Sequence, residues 1–299
     1  MPENTMPTHS DSQPVFRFAP SPNGLLHLGH ARSALINQKM AAAMRGKLLL
    51  RIEDIDLTRC RPEFEEAIYD DLRWMGVGWE EPVRRQSEHF GLYQAALDQL
   101  IGRGLAYPAF LTRGEVKARV EAEGKAGREW PVDPDGAPHY PLDERGLGAA
   151  DREVRKAANT RHAWRLNMEK AVKETGPLFW NEMDDTGKST VVEADPAAWG
   201  DFVLSRSDAP SSYHLSVVVD DAFQGVTHVV RGRDLYHATS VHRLLQRLLG
   251  LGEPVYHHHS LILAPDGRKL SKSNRDTGIA AFRQAGHSAS DVCKRALGL

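Results

Sequence analysis

Two short stretches gather most of the reactive side chains in this 299-residue chain. The first, His27-Leu28-Gly29-His30, follows the loop Ala19-Pro20-Ser21-Pro22-Asn23-Gly24 and opens a helical run. A helix N-terminus attracts anions through its free N–H groups and its dipole. Gly24 and Gly29 let backbone approach a phosphate closely. Two imidazoles add donors for charge that develops on a phosphoryl group. The second stretch, Lys269-Leu270-Ser271-Lys272-Ser273, follows a Pro265-Asp266-Gly267 turn. Its lysines and hydroxyls can grip a triphosphate or a departing pyrophosphate. Each stretch alone has a plainer reading, as surface histidines beside a turn or as a solvated basic loop. His257-His258-His259 is a third candidate. In an alternating strand His257 and His259 share a face that could bind metal, or the strand simply lines a nucleotide cleft.

The elements that must hold these residues read as α/β. Val15 to Phe18 is a strand, ended by the Pro-rich loop. His30 to Arg45 is Ala-rich and helical, with Gly46 at the usual C′ position. Lys47 to Ile52 is a short apolar run that suits a strand buried on both faces. Strand, loop, helix, strand opens a βαβ unit and predicts a parallel sheet. Pro62 to Met75 and Ser87 to Arg103 are predicted helices. Thr112 and Glu115 form a capping-box pattern before another, Glu115 to Glu123. Residues 124–148 are rich in Gly and Pro without periodicity and read as a surface excursion. Arg161 to Met168 and Thr190 to Glu193 are expected strands of a small inserted lobe. The α/β pattern resumes with a strand at Thr227 to Val230, a helix at Val241 to Leu249 closed by Gly250, and a strand at Val255 to Leu263. No repeat is visible. The architecture expected is two α/β halves separated by an irregular insert.

Composition removes several classes of function. Lys plus Arg is 38 and Asp plus Glu is 40, a net charge of −2, which argues against a globally basic nucleic-acid coat protein. A local basic patch remains open. Two cysteines, Cys60 and Cys293, make neither a disulfide framework nor a four-thiolate zinc site. No stretch approaches the ~20 apolar residues that span a bilayer. Residues 1–14 are polar and Pro-rich, without the apolar core of a secretory signal, and read as a disordered lead. A cytoplasmic protein with no membrane partner is the expectation.

Four segments taken together carry a resemblance. RFAPSPNGLLHLGHARSAL, RIED, VVDDAFQGVTHVVRGRDL and KLSKS occur in that order. They resemble the catalytic core of class I aminoacyl-tRNA synthetases, whose two signatures are called HIGH and KMSKS. Within that class the chain is similar to the glutamyl enzymes and to their truncated relatives, which glutamylate queuosine in tRNA(Asp). The resemblance runs from about Val15 to the C-terminus and is weakest between Gly124 and Arg161.

The resemblance implies a Rossmann-like, doubly wound parallel sheet with an inserted α+β, acceptor-binding-like lobe. It implies a first half of the catalytic domain over 15–106, an insert over 107–200, and a second half over 201–299 that ends in the KLSKS loop and a helical tail. No anticodon-binding domain is expected. The family binds glutamate through the RFAPS segment, here Arg17, Phe18, Ala19, Pro20 and Ser21. Arg17 suits a bidentate grip on a carboxylate, where its plainer reading is a solvated strand-edge arginine. Glu53 would hold the α-amino group, where its plainer reading is a turn cap. Tyr213 and Arg231 would complete the pocket around the side-chain carboxylate, and a neutral glutamine would pair poorly there. His27, Gly29 and His30 would line the phosphates and adenosine of ATP, with Lys269 and Lys272 on the phosphates and Mg²⁺ bridging them. The implied reaction is attack of the glutamate α-carboxylate on the α-phosphorus of ATP, followed by transfer to an RNA hydroxyl. The implied partners are L-glutamate and tRNA(Asp) carrying queuosine, and a monomer is expected. The alternatives are a glutamyl-tRNA synthetase catalytic domain acting on tRNA(Glu), and a non-catalytic nucleotide- or RNA-binding paralogue.

One departure stands out. Many relatives carry a zinc knuckle where this chain has Ala109, Leu111, Tyr140 and Glu144. No soft ligand remains, so structural zinc is not expected. Arg152, Arg155, Lys156, Arg161 and Arg165 concentrate charge in the insert. They are either an RNA contact or one side of a solvated helix, since Asp151 and Glu153 are interspersed.

Overall fold

The computed structural model describes residues 13–158, 161–206, 209–264, 267–268, 270 and 277–299; of Glu144, Ala149, Arg152 and Lys156 it describes the backbone alone. The first twelve residues of the lead, the Pro265-Asp266 pair, and Lys269, Ser271, Lys272 and Ser273 of KLSKS lie outside the described residues.

The chain opens with β1 (Val15–Phe18), α1 (Leu28–Ala43) and β2 (Lys47–Ile52). The two strands pair in parallel from Val15 against Lys47 to Phe18 against Leu50, as the sequence predicts. Helix α1 begins two residues earlier than predicted because His27, not a later residue, is its N-cap. Its end also differs. The left-handed residue is Arg45, at φ 52°. Gly46 is required for another reason: a Cβ there would stand 2.5 Å from the Pro14 carbonyl oxygen.

Helix α2 (Pro62–Trp74) follows, with proline at its start, where the missing N–H costs nothing. The strand β3 (Glu80–Arg85) lies outside the predicted elements; its first three residues, Glu80, Glu81 and Pro82, are exposed, so it has no apolar run to announce it. Then come α3 (Phe90–Gly102), β4 (Ala106–Ala109) and α4 (Arg113–Lys125). The predicted capping box forms, with Thr112 accepting from Glu115 N and Glu115 accepting from Thr112 N. After α5 (Ala149–Ala157), the chain forms β5 (Ala163–Leu166), α6 (Met168–Thr175), β6 (Phe179–Met183), β7 (Ser189–Glu193) and β8 (Val203–Arg206). The last part is α7 (Tyr213–Phe223), β9 (His228–Gly232), α8 (Ala238–Leu249), β10 (Val255–His259), α9 (Ile279–Gln284) and α10 (Ala289–Leu297).

Seven strands form one sheet in the order β3-β2-β1-β9-β10-β6-β7. All pairings are parallel except β6 with β7. The order reverses between β1 and β9, and ligands of doubly wound sheets bind outside the carboxyl ends of the strands at such a switch point. The predicted strand at Thr190 to Glu193 exists, but it is not part of the inserted lobe: β7 is the antiparallel edge of the main sheet. The lobe has its own antiparallel sheet, β4-β5-β8.

One apolar cluster packs α1, α2 and the C-terminal helices against the sheet, with Phe16, Leu26, Leu50, Ile68 and Leu72 fully buried. Another joins α3, α6, α7 and α8 to the lobe through Leu97, Leu166, Leu204, Leu215 and Leu245. Each such side chain contributes roughly 1.5–3 kcal/mol by leaving water. The lobe is tied to the core by Asp201. Its carboxylate accepts from the Tyr107 hydroxyl at 2.7 Å, from Met168 N at 2.9 Å, and from both sides of the Arg145 guanidinium.

Candidate active site

The switch point opens into a cavity of about 630 Å³. Every described residue predicted for substrate binding lines it: Arg17, Phe18, Ala19, Pro20, Ser21, His27, Gly29, His30, Glu53, Tyr213 and Arg231. Leu270 of KLSKS lines it too. Beyond the loop, Gly278 bridges antiparallel to His27, and Ile279 N donates to Leu26 O at 2.8 Å. The chain on both sides of 271–276 is thus anchored at the cavity. Lys269 and Lys272 themselves lie outside the described residues.

Local sequence explains the HLGH geometry. His27 Nδ1 accepts from Gly29 N at 3.1 Å, and His30 Nδ1 accepts from His27 N at 3.2 Å. The histidines form a capping box, and their ring centroids lie 3.8 Å apart. An imidazole that accepts through Nδ1 carries its neutral-form proton on Nε2. No acidic residue occupies the first turn of α1, so its positive end faces the cavity uncompensated. Gly29 has a packing reason: a Cβ there would stand 3.0 Å from His27 Cε1.

Arg17, on β1, is buried, and its Nε donates to Asp221 at 3.0 Å. It is therefore not the solvated strand-edge arginine of the plainer reading. Arg51 on β2 is fully buried and donates to Asp221 at 2.8 Å, to Gln224 at 3.0 Å and to Glu53 at 3.3 Å. Asp220, next to Asp221 on α7, accepts from Arg84, Gln86 and Tyr93, each at 2.8 Å. Burial works against the Arg51 charge, but Asp221, Glu53 and Asp220 overcome it and hold the guanidinium above its ordinary value. Burial also pushes Asp221 up, and Arg17 with Arg51 pulls it below the usual carboxylate range. Glu53 ends up raised because its burial outweighs Arg51 and Arg17. Sequence reasoning gave Asp220 and Asp221 no role. Their signal was a pair of acids inside an otherwise apolar helical run, Val217-Val218-Val219-Asp220-Asp221.

Arg231, on β9, is buried on the other side of the cavity. It donates to the Tyr213 hydroxyl at 3.5 Å, to His242 Nδ1 at 3.0 Å and to Thr239 at 2.8 Å. It also donates to His258 Nε2 at 3.1 Å and to Leu235 O at 3.1 Å. Tyr213 is placed by Ser212, the N-cap of α7. In the His257-His258-His259 run, the middle residue reaches Arg231. His257 is buried with Nδ1 2.7 Å from Met183 O, and His259 lines the cavity.

A second cavity of about 520 Å³ adjoins the first and shares Ser21, Glu53, Arg59 and Tyr213 with it. It extends under the inserted lobe along His139, Tyr140, Trp199, Phe202 and His214. Among the described residues, no group of three or more His, Cys, Asp or Glu is placed to hold a metal ion. The positions that the resemblance aligns with a zinc knuckle lie in apolar packing where their side chains are described. Ala109 and Tyr140 are buried with Tyr107 and Val116, and Leu111 packs against them. The Tyr140 hydroxyl accepts from Leu111 N at 3.1 Å. Glu144 is described by its backbone alone. That donor set does not fit zinc. Of the basic residues in the insert, Arg165 is structural: it donates to Asp201 O at 2.6 Å and lies 4.2 Å over the Tyr140 ring.

Comparison with known proteins matches residues 15–291 to the family of class I tRNA synthetases (E and Q), catalytic domain. A glutamyl-Q tRNA(Asp) synthetase of Rhodobacter capsulatus is 44% identical over 292 residues, 95% of this chain and 100% of that protein. A glutamate–tRNA ligase of a Synechococcus strain is 37% identical, over 90% of this chain but 53% of its own length. The crystal structure of a glutamate tRNA ligase from Elizabethkingia meningosepticum, in complex with its amino acid, superposes with a TM-score of 0.76 at 26% identity, covering 96% of this chain and 60% of that one. The chain thus spans about half to three-fifths of the glutamate ligases it matches. With the family model covering nearly all of the described sheet, this chain belongs to the class I tRNA synthetases of the E and Q type.

Proposed function

We propose that this chain activates L-glutamate with ATP and transfers the glutamyl group to the queuosine base in the anticodon of tRNA(Asp). The observation that carries the activation step is the convergence of Arg17, Glu53, Tyr213 and Arg231 with the HLGH helix on one cavity. The end-to-end match to the Rhodobacter capsulatus protein supports the choice of RNA.

The roles follow from charge and reach. Arg17 has its Nε on Asp221 and turns its terminal nitrogens to a carboxylate. Glu53 receives the α-ammonium group. Arg231 and Tyr213 face the side-chain carboxylate. His27, Gly29 and His30 meet the ATP phosphates at the positive end of α1, and the resemblance gives Lys269 and Lys272 to the same phosphates. Mg²⁺, if it accompanies the nucleotide, would offset charge on the phosphates and on the departing pyrophosphate. An α-carboxylate oxygen attacks the α-phosphorus, the bond to the bridging oxygen breaks, and pyrophosphate leaves with its electron pair. The protein orients the partners and stabilises charge. The second cavity, continuous with the first past Tyr213 and Glu53, receives the RNA nucleotide that accepts the acyl group. The enzyme works as a cytoplasmic monomer.

Glutamate-dependent ATP–pyrophosphate exchange without tRNA tests the activation step. The wild-type chain is expected to exchange, and His27→Ala and Lys272→Ala to lose on the order of 100-fold or more. Near wild-type exchange in both variants removes the mechanism, and no exchange at all favours the non-catalytic paralogue.

A further inference from the structure

Arg231 gives every guanidinium N–H to a neutral acceptor. Two are imidazole nitrogens, two are hydroxyls and one is a backbone carbonyl. No carboxylate hydrogen-bonds it among the described residues. Arg17 differs, because its Nε sits on the Asp221 carboxylate. The cavity therefore holds one arginine hydrogen-bonded directly to an acid and one whose direct hydrogen-bond partners are all neutral.

Both imidazoles can accept from Arg231 only if their protons sit on the opposite nitrogen. A second residue enforces this in each case. Glu182 on β6 lies 2.9 and 3.0 Å from His258 Nδ1, and a carboxylate only accepts, so the His258 proton is on Nδ1. His242 Nε2 faces His214 Nδ1 at 3.1 Å. With Nδ1 of His242 occupied by Arg231, its Nε2–H donates to His214. The reverse tautomer at either ring would set N–H against N–H. Charge on either ring is also resisted. Burial, with Arg231, holds His242 well below the ordinary histidine value. Burial holds His258 to about 4, despite the pull of Glu182.

We propose that His242 and His258, with tautomers set by His214 and Glu182, are positioning residues that hold Arg231 without neutralising it, and so make the pocket prefer an anionic side chain over its neutral amide. The inference rests on the glutamate reading. The longest of the five contacts, 3.5 Å to the Tyr213 hydroxyl, is the one an incoming carboxylate oxygen displaces. A carboxylate in place of either imidazole would cancel the charge, and a bare apolar wall would leave buried N–H groups unpaired.

The test compares the full chain as wild type, His242→Phe, His242→Asn and Glu182→Leu. Glutamate and glutamine binding are measured by calorimetry, and KM for glutamate and for ATP by exchange. His242→Phe keeps a ring and removes the acceptor. It is expected to weaken glutamate tenfold or more, to lower the glutamate-over-glutamine ratio by a similar factor, and to leave the ATP KM within about twofold. His242→Asn, whose side-chain oxygen stands near the Nδ1 position, is expected to recover most of the ratio. Glu182→Leu acts from the other side and shifts the ratio the same way, so it decides the matter if His242→Phe does not fold. A folded His242→Phe or Glu182→Leu with an unchanged ratio overturns the inference. So does a joint rise in both KM values that His242→Asn fails to recover. Wild-type chain that binds no glutamate overturns the proposed function itself, and the inference with it.

Discussion

The HLGH signature owes its shape to contacts within a single turn. His27 caps α1, His30 caps it in return, and Gly29 is the gap into which the His27 ring fits. A methyl group at Gly29 would press on Cε1 and Nδ1 of His27 at 3.0 and 3.1 Å, closer than carbon normally approaches. Gly29→Ala is therefore expected to displace that ring and slow exchange about 10- to 100-fold, with little change in melting temperature. Steady-state kinetics beside a thermal melt checks this; an unaltered kcat would show that the ring's placement is unimportant. The signature residues were legible in the sequence because their chemistry is local and their resemblance specific. Asp221 was not. It pairs with Arg17 from 204 residues away, and no spacing rule connects such positions. His258 was missed for a related reason. Alternation correctly set it opposite His257 and His259, but only β9 and α8 make that opposite side the one that meets Arg231.

At the scale of elements, β1, β2, β5, β7, β9 and β10 fall in or beside stretches that read as strands, whereas β3, β4, β6 and β8 do not. β3 opens on exposed glutamates, and the other three are only four or five residues long and are broken by proline or polar residues. β7 was recognised as a strand but given to the wrong sheet, since its pairing with β6 leaves no mark on composition. Two elements can be probed through their buried acids. Asp71 on α2 has neither carboxylate oxygen hydrogen-bonded among the described residues, and Arg283 of α9 comes only to 3.7 Å. Burial pushes its carboxyl up from 3.8 to about 6. Between those values the folded chain keeps a proton that the unfolded chain has released, so this group lowers stability as pH rises from about 4 to about 6. Asp71→Asn should thus melt like wild type near pH 4 and be more stable at pH 7.5, by about 1–2 kcal/mol after solvent screening. An Asp71→Asn melting curve below wild type at pH 7.5 would reverse that sign. Asp201 is the contrary case, satisfied on every side by the lobe. Asp201→Ala removes the carboxylate that Arg145, the Tyr107 hydroxyl and Met168 N share, and is expected to cost about 3–5 kcal/mol in denaturant unfolding. A loss below about 1 kcal/mol would mean the lobe is held by its apolar contacts alone.

For the whole molecule, fold class and cavity follow from one topological fact. The sheet order reverses between β1 and β9, and Arg17 and Arg231, the two arginines proposed to bind glutamate, lie on those two strands and line one cavity. That much was legible, since a βαβ opening and a later αβ half leave few alternatives. What composition could not give is how the insert meets the core: Asp201, Trp199 and Phe202 close a second cavity beside the first. The near-neutral net charge of −2 accords with the local RNA contact proposed for that cavity rather than with a basic face along a tRNA. The destination of the activated glutamate decides the proposed function. Labelled glutamate and ATP are offered with the chain to queuosine-containing tRNA(Asp), to tRNA(Asp) lacking queuosine, and to tRNA(Glu). Label on the first alone is expected; label on tRNA(Glu), with none on queuosine-containing tRNA(Asp), would overturn the proposed function.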